Sequence, residues 1–450
     1  MTPALEIAAQ VRTGALSAAA VVEQVLADLA QRDSELNAVT RLLPERARHE
    51  AAAVDAAVTA GRDPGPLAGV PYGVKDLFDV AGLPTTAGSS LYADATLAKS
   101  DAEAIVQLRE AGAVLVATLN MDEFAYGFAT INAIHGTTRN PHDPSRLAGG
   151  SSGGSAAIVA AGLLGFSLGS DTNGSVRVPA SLTGTYGLKP THGDLPLNGV
   201  FPFAVSFDDV GPFANTVADL RAVWSVLASR ETDDARTSWR VARLGGRFRE
   251  NADTDQLAAI DAIAPDAPLV DLPEIARARS AAFLITAYEG GALHREALSR
   301  NAMAFDPATR DRLLAGALLP DELYAEAQAF RADYKARIAA LIAEFDVLLA
   351  PATPCTAPLV DDPRILIDGA LSPARADLGI HTQPISFLGL PSLCVPLHRP
   401  GRLPLGLQLI GRASGEADLF AFAEGLEARG IIGWTKPGVM ASAAKLGATA

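Results

Sequence analysis

Residues 149–164 read GGSSGGSAAIVAAGLL, a glycine and serine run that passes directly into an apolar stretch. The residues from 155 to 164 are small and mostly apolar on every side, which predicts a helix that is buried all round. A solvated linker would not continue into such a helix, and a phosphate-binding loop would need a lysine after Gly154, where the chain has Ser155. The run is therefore expected at the centre of the fold.

The same run also satisfies the G-x-S-x-G pattern of a nucleophile elbow, at residues 149–153. An elbow requires a strand directly before its serine, whereas residues 140–148 read NPHDPSRLA and their prolines predict turns. An elbow also requires a histidine base. None of the seven histidines is clearly placed for that role, although His192 and His381 stay open as candidates.

The rest of the chain alternates between helical and strand patterns. Residues 4–31 have the apolar spacing of two opening helices, and residues 68–120 follow a strand, helix, strand order that is typical of parallel strands. A strand is expected at 240–244, and a long amphipathic helix within 324–350 leads into the apolar strand DVLLAP. These patterns predict a single large α/β domain with a central mixed β-sheet surrounded by helices.

Within that domain, which spans residues 1–450, four segments are expected. They are N-terminal helices at 1–65, a core at 66–225, a variable peripheral segment at 226–330 and a C-terminal return to the sheet at 331–430.

Composition and charge exclude several classes of protein. The 450 residues are 49% hydrophobic and 20% charged, which is typical of a folded globular chain. A formal net charge of −14 without a basic cluster argues against direct nucleic-acid binding. No signal peptide or membrane-spanning run is apparent, so a cytoplasmic location without membrane contact is expected. Two cysteines cannot form a zinc cluster, and neither a metal ion nor a cofactor is expected.

A second serine-bearing loop lies at residues 169–181, GSDTNGSVRVPAS. Its residues from Asp171 to Ser175 form a small-residue turn of the kind in which backbone N–H groups converge on an anion. Ser175 is therefore a candidate nucleophile. A turn between a strand and a helix, without any chemistry, is the alternative.

Lys75 is the candidate base for such a serine. It lies in the run GVPYGVKDLF between Val74 and Leu77, where a solvated lysine is unexpected. Burial lowers the pKa of a lysine, and a neutral lysine can accept a proton from a serine. Alternatively, Lys75 is a structural lysine that pairs with Asp76 or Asp79.

Together these stretches resemble the amidase signature family of serine hydrolases, which use a Ser-cisSer-Lys triad without histidine. The resemblance covers most of residues 65–225 and 340–415. It rests on the motifs GVPYGVKDLF, NMDEFAYGF, TRNPHDPSRLAGGSSGGSAA, GSDTNGSVRVPA, GLKPTHG, FDVLLAPATP, TQPISFLGLPSLCVP and PLGLQLIGR.

The resemblance implies a role for each matching residue. The base falls on Lys75, the cis-serine on Ser151, which would also contact substrate, and the nucleophile on Ser175. The backbone N–H groups of an oxyanion hole fall on Thr172, Asn173, Gly174 and Ser175. Asn173 stands where glycine is commonest in the family, and asparagine tolerates a left-handed backbone better than most residues.

The resemblance also implies a substrate pocket and a substrate class. Ala125 and Tyr126 are expected to line the acyl pocket, which needs a cation if the substrate carries a carboxylate. Arg177 is a candidate for that cation, although an internal pair with Asp171 is equally open.

Within the family, DTNGSVRVPAS, NMDEFAYGF and TQPISFLGLP are most similar to hydrolases of 1-carboxybiuret. Those enzymes convert a small acidic ureido compound to urea-1,3-dicarboxylate and ammonia. The expected assembly is a homodimer that binds a small accessory subunit of the kind those enzymes have. The amidase subunit of a tRNA-dependent amidotransferase, which releases ammonia from glutamine, is the alternative inside the family. A non-catalytic scaffold protein is the alternative outside it.

Overall fold

The computed structural model describes residues 2–230 and 236–438 as a single α/β domain around an eleven-stranded mixed sheet. The strands of that sheet are β1 (Val39–Leu42), β2 (Pro71–Lys75), β3 (Val114–Leu119), β8 (Phe166–Asp171), β9 (Tyr186–Lys189), β10 (Asp209–Ala214), β11 (Val241–Leu244), β12 (Leu269–Val270), β13 (Val347–Pro351), β16 (Ser392–Pro396) and β17 (Gly406–Gly411). Three small hairpins lie outside it, formed by β4 (Ile131–Asn132) with β5 (Gly136–Thr137), β6 (Arg139–Asn140) with β7 (Asp143–Leu147), and β14 (Arg364–Ile367) with β15 (Ala370–Pro373).

The helices surround the sheet. They are α1 (Ala4–Arg12), α2 (Ala18–Leu36), α3 (Pro44–Thr59), α4 (Glu103–Glu110), α5 (Gly153–Ala160), α6 (Arg177–Thr183), α7 (Val217–Ala228), α8 (Arg247–Glu250), α9 (Thr254–Ile263), α10 (Ile275–Asn301), α11 (Pro307–Ala317), α12 (Asp321–Ile342), α13 (Ala374–Asp377), α14 (Gln383–Leu388) and α15 (Glu416–Ala428). Within the described ranges, every helix is too short or too polar to span a lipid bilayer.

The sheet order explains how distant segments meet. Across the sheet the strands run β1-β3-β2-β8-β10-β9-β16-β17-β13-β11-β12. Strand β2 is parallel to β3 and β8, and β11 is parallel to β12 and β13, while the remaining pairs are antiparallel. Because β2, β3 and β8 run in one direction, their carboxyl ends reach the same edge of the sheet.

Helix α5 is buried along its whole length, as the run of small apolar residues predicts. It packs so closely that a Cβ atom on Gly154 would lie 2.6 Å from the carbonyl oxygen of Ala38 and 2.6 Å from the backbone nitrogen of Asn120. The hydroxyl of Ser155 donates to the carbonyl of Leu168 at 2.9 Å, so this polar side chain is satisfied within the core. Glycine is required at position 154 because the atoms around it are backbone.

Other sequence-based expectations are also confirmed. The two opening helices are α1 and α2, the long amphipathic helix is α12 before strand β13, and the strand expected at 240–244 is β11.

Two expectations are corrected. Residues 140–148 hold strand β7 of a two-stranded hairpin, because the prolines lie at its turn and outer edge. The segment 226–330 is not simply peripheral, because β11 and β12 extend the central sheet and α10 packs against α14 and the turn after β8. The boundaries at 65, 225 and 330 stay a prediction.

We predict opposite effects from two glycine-to-alanine substitutions. Gly154→Ala forces a methyl group against backbone atoms and should lower the free energy of unfolding by about 1–3 kcal/mol or more. Gly425→Ala, in helix α15, meets open space and should raise it by about 0.5–1 kcal/mol. Urea denaturation measures both, and equal values for the two variants would contradict the packing described for α5.

Candidate active site

Three catalytic candidates come together at the carboxyl edge of β2 and β8. Lys75 is the last residue of β2, and Ser170 and Asp171 end the neighbouring parallel strand β8. Ser151 lies in the loop that precedes α5, and Ser175 lies in the turn that follows β8. The fold therefore gathers Lys75, Ser151 and Ser175, which are far apart in the sequence.

The amine of Lys75 is completely buried and contacts hydroxyl groups. Its Nζ atom donates to Oγ of Ser151 at 2.7 Å and to Oγ of Ser170 at 2.8 Å. Burial lowers the pKa of Lys75 to about 7, although the charges of Asp122, Asp208 and Asp171 oppose that shift. A substantial fraction of this lysine is therefore neutral near neutral pH.

The two aspartates that could have paired with Lys75 are bonded elsewhere. The carboxylate of Asp76 accepts hydrogen bonds from Thr40 and Thr86, and that of Asp79 accepts one from Thr85. The alternative of a structural ion pair to Asp76 or Asp79 is therefore not what the structure contains.

The loop at Ser151 has a demanding backbone. The peptide bond between Gly150 and Ser151 is cis, as the resemblance implies. A Cβ atom on Gly150 would lie 2.2 Å from Oδ2 of Asp122 and 2.6 Å from the backbone nitrogen of Ala129. That Asp122 oxygen accepts hydrogen bonds from the backbone N–H groups of Ala129 and Thr130, at 3.1 and 2.8 Å. Only glycine fits where these two loops touch.

The turn from Thr172 to Ser175 is held by the carboxylate of Asp171. Oδ1 of Asp171 accepts the backbone N–H of Gly174 at 2.7 Å. Gly174 has φ +135° and a Cβ atom there would lie 2.0 Å from Oγ1 of Thr382, so this position also requires glycine. The inclusion of Gly174 among the oxyanion donors is corrected, because its N–H is already engaged.

The remaining N–H groups of this turn are differently placed. In the described part of the chain, the backbone N–H groups of Thr172, Asn173 and Ser175 have no acceptor. The Ser175 side chain lines an adjoining cavity, and its hydroxyl makes no hydrogen bond to any residue that the structure describes. Three donors and a free hydroxyl therefore meet at this turn.

Arg177 does not face the cavity, which corrects its assignment as a substrate-binding residue. Its side chain is completely buried, with Nε and Nη2 each 2.9 Å from the carboxylate of Asp171. Nη1 donates to Oε1 of Gln408 and the carbonyl of Thr382, and Nη2 donates to the hydroxyl of Ser386. Burial would raise the pKa of Asp171, but the charge of Arg177 outweighs it and keeps the pKa below its ordinary value. The arginine serves the carboxylate that holds the turn.

The cavity beside Ser175 has a volume of about 300 Å³. Ala125 and Tyr126 line it, as expected from the sequence. Its other lining residues are Gly127, Phe128, Thr172, Asn173, Ser175, Phe203, Phe283, Thr286, Arg312 and Gln383.

Arg312 is a cavity residue that sequence reasoning missed. Its guanidinium carbon lies 3.6 Å from the ring centroid of Tyr126, and Nη1 donates to the carbonyl of Tyr126 at 3.2 Å. Burial lowers the pKa of Arg312, although an arginine stays charged at neutral pH. In the sequence RDRLLAG this arginine resembles a surface residue of helix α11, and only the packing of α11 turns it toward the cavity. Thr286 and Gln383 were missed for the same kind of reason.

The two histidines that stayed open as bases do not line the cavity. Nδ1 of His192 lies 3.0 Å from Oδ1 of Asp209. His381 is buried against the ring of Phe248, with ring centroids 6.0 Å apart, and burial lowers its pKa to about 3. The elbow with a histidine base is therefore not the arrangement found here.

Comparison with known proteins agrees with this geometry. The family model described as Amidase matches residues 20–258 and 268–420. AtzE, a 1-carboxybiuret hydrolase subunit of Pseudomonas sp. (strain ADP), is 42% identical over 95% of this chain and 98% of its own length. The amidase-family component of the glutamyl-tRNA(Gln) amidotransferase of Synechococcus sp. (strain RCC307) is 34% identical over 92% of this chain and 95% of its own length.

Among solved structures, one described as a vestigial protein complex that reveals the evolutionary origins of an s-triazine catabolic enzyme has a TM-score of 0.92. It is 41% identical to this chain and covers 96% of it, with 100% of its own chain matched. Because the family model and these relatives extend over nearly the whole chain, including the loops around Lys75, Ser151 and Ser175, the chain belongs to the amidase signature family of amide hydrolases.

Proposed function

We propose that this enzyme hydrolyses the terminal carbamoyl group of 1-carboxybiuret, giving urea-1,3-dicarboxylate and ammonia. The observation that carries the proposal is the cation of Arg312 in a cavity of about 300 Å³ beside Ser175. Such a cavity suits a small anion better than a long acyl chain. Greater identity to a 1-carboxybiuret hydrolase, 42%, than to an amidotransferase, 34%, also supports it.

In the proposed mechanism, neutral Lys75 takes the proton of Ser151 while Ser151 takes the proton of Ser175, whose oxygen attacks the carbamoyl carbon. The backbone N–H groups of Thr172, Asn173 and Ser175 stabilise the oxyanion of the tetrahedral intermediate. The same relay returns a proton to the nitrogen, the carbon–nitrogen bond breaks and ammonia leaves. Water then attacks the acyl-enzyme, gives its proton to the relay and releases the acid.

One link of this relay is not formed in the described part of the chain, because the hydroxyls of Ser151 and Ser175 are not hydrogen-bonded to each other. Catalytic hydrogen bonds are often long before substrate binds and shorten in the complex. The contact from Lys75 to Ser151, at 2.7 Å, is the link already made.

The assembly is also part of the proposal. We infer a cytoplasmic homodimer that associates with a small accessory protein. The description of a 41% identical solved structure as a protein complex supports the accessory protein.

We predict that the enzyme releases ammonia from 1-carboxybiuret with a kcat/KM at least about 100-fold above that for glutamine. Ser175→Ala should lower the rate at least about 10⁴-fold and abolish labelling by a fluorophosphonate. The control Ser280→Ala, on the exposed side of α10, should keep both properties. Ammonia release is measured with and without a co-expressed accessory protein. Preference for glutamine, or labelling that persists in Ser175→Ala, would contradict the proposal.

We predict that kcat/KM rises with pH through a single ionisation near pH 7, because only neutral Lys75 accepts a proton. Residual activity of Lys75→Met should lack this dependence, whereas the surface control Lys99→Met should keep it. A pH profile that is unchanged in active Lys75→Met protein would remove the lysine from its role.

The same substitution predicts a change in stability. The folded-state pKa of Lys75, about 7, lies below the value of 10.5 for an ordinary lysine, so the unfolded chain binds more protons between these pH values. The free energy of unfolding of the wild type should therefore rise with pH across this window relative to Lys75→Met. The variant should be the more stable protein at pH 7, and urea denaturation should show this advantage narrowing toward pH 10.

We predict that Arg312→Met raises KM for 1-carboxybiuret by about 10- to 100-fold, because a charge-assisted hydrogen bond to the substrate carboxylate is lost. Hydrolysis of biuret, which has no carboxylate, should change by less than about threefold. Arg310→Met, in the same helix but paired with Asp311 at the surface, is the matched control. Equal losses on both substrates would show that Arg312 only supports the fold of the cavity.

A further inference from the structure

Two buried amide side chains line the cavity with an unpaired polar atom each. Asn173 is 6% exposed and Gln383 is fully buried. Among the described residues, Oδ1 of Asn173 and Nε2 of Gln383 have no hydrogen-bond partner. An unpaired buried polar atom costs about 1–3 kcal/mol, and most such atoms in folded proteins are paired. Both atoms are therefore expected to meet a ligand.

The orientation of Gln383 is fixed by its neighbour. Nε of Arg279 donates to Oε1 of Gln383 at 3.0 Å, and the guanidinium of Arg279 is itself paired with Asp377. Because a guanidinium can only donate, the oxygen of Gln383 must face Arg279. The amide nitrogen is then left as a hydrogen-bond donor toward the cavity.

Asn173 offers the complementary group. Its Nδ2 atom donates to Oγ1 of Thr286 in α10 at 2.9 Å, and its backbone carbonyl accepts the hydroxyl of Thr382 at 2.8 Å. The side chain is thus held from both sides, with Oδ1 left as an acceptor. Asn173 also stands two residues before Ser175, so this acceptor lies close to the reacting carbonyl.

We infer that Asn173 and Gln383 determine specificity by reading the ureido chain of the substrate, an inference that rests on the proposed function. Between its scissile carbonyl and its carboxylate, 1-carboxybiuret carries N–H, C=O and N–H groups. Oδ1 of Asn173 accepts a hydrogen bond from a ureido N–H, and Nε2 of Gln383 donates one to the central ureido carbonyl. Arg312 binds the carboxylate beyond them.

The discrimination follows from what an aliphatic substrate leaves unpaired. Glutaramate has a terminal carbamoyl group and a carboxylate separated by the same number of chain atoms, but methylene groups replace the ureido groups. Its binding would seal Oδ1 of Asn173 and Nε2 of Gln383 away from water without partners. Sites built to hydrogen-bond a substrate reject analogues that lack the matching groups.

The test compares kcat/KM for 1-carboxybiuret and glutaramate in matched variants. Gln383→Glu keeps the size of the side chain and its contact with Arg279 but replaces the donor by an acceptor. Asn173→Leu keeps the size and removes the acceptor. We expect each variant to lower the ratio of kcat/KM for 1-carboxybiuret over glutaramate by about 10-fold or more. If glutaramate turns over too slowly, its inhibition constant replaces kcat/KM.

Two controls keep the result interpretable. Gln107→Met replaces an amide in α4 whose Oε1 also has no partner among the described residues but lies outside the cavity, and it should leave the ratio unchanged. Fluorophosphonate labelling of Ser175 reports that each variant is folded. If Asn173→Leu loses that labelling, Gln383→Glu alone decides the test.

The outcomes separate this inference from the proposed function. Wild-type enzyme that does not hydrolyse 1-carboxybiuret would overturn the proposed function. Wild-type enzyme that prefers 1-carboxybiuret, with variants that lose activity equally on both substrates, would overturn the specificity role and leave the proposed function intact. A fall in the ratio in labelled variants supports the inference.

Discussion

The burial of one amine, that of Lys75, is the constraint on which the rest of the site depends. Lowering its pKa from 10.5 to about 7 corresponds to a loss of preference for the charged form on the order of 5 kcal/mol. Within the described ranges no carboxylate contacts Nζ; hydroxyl groups of Ser151 and Ser170 surround it instead. A direct ion pair would hold the lysine protonated, whereas hydroxyl neighbours let it exist as a base. The closely packed glycines at 150 and 154 bring Ser151 to that position.

A second buried charge is organised in the opposite way. Asp171 is fully buried but keeps its negative charge because Arg177 forms two contacts of 2.9 Å with it. With that charge it binds the N–H of Gly174 and fixes the turn that carries Ser175. This explains why Arg177 is unavailable to substrate and why the cation facing the cavity comes from a different segment, as Arg312 of α11.

These two cases show what the sequence could and could not predict. The mixed sheet, the buried helix α5 and the gathering of Lys75, Ser151 and Ser175 were predictable, because strand ends, glycine runs and family motifs are local patterns. Which of its neighbours Arg177 contacts was not predictable, because the sequence allows both a partner and a substrate. Arg312 and Gln383 were not found because each lies on a helix whose inward face is set by tertiary packing. The engagement of the Gly174 N–H likewise depends on one carboxylate rotamer.

The division between these groups of residues has a physical consequence for how substrate choice is built. Lys75, Ser151 and Ser175 lie within 66–225, on strand ends and loops whose backbone leaves little room for change. Most of the remaining cavity wall is contributed by α10, α11 and α14, through Thr286, Arg312 and Gln383. A helix can exchange a side chain that faces the cavity without moving the sheet edge that holds the lysine. The same reaction can therefore be applied to different amides, and membership of the family fixes the chemistry while these three helices fix what is cleaved.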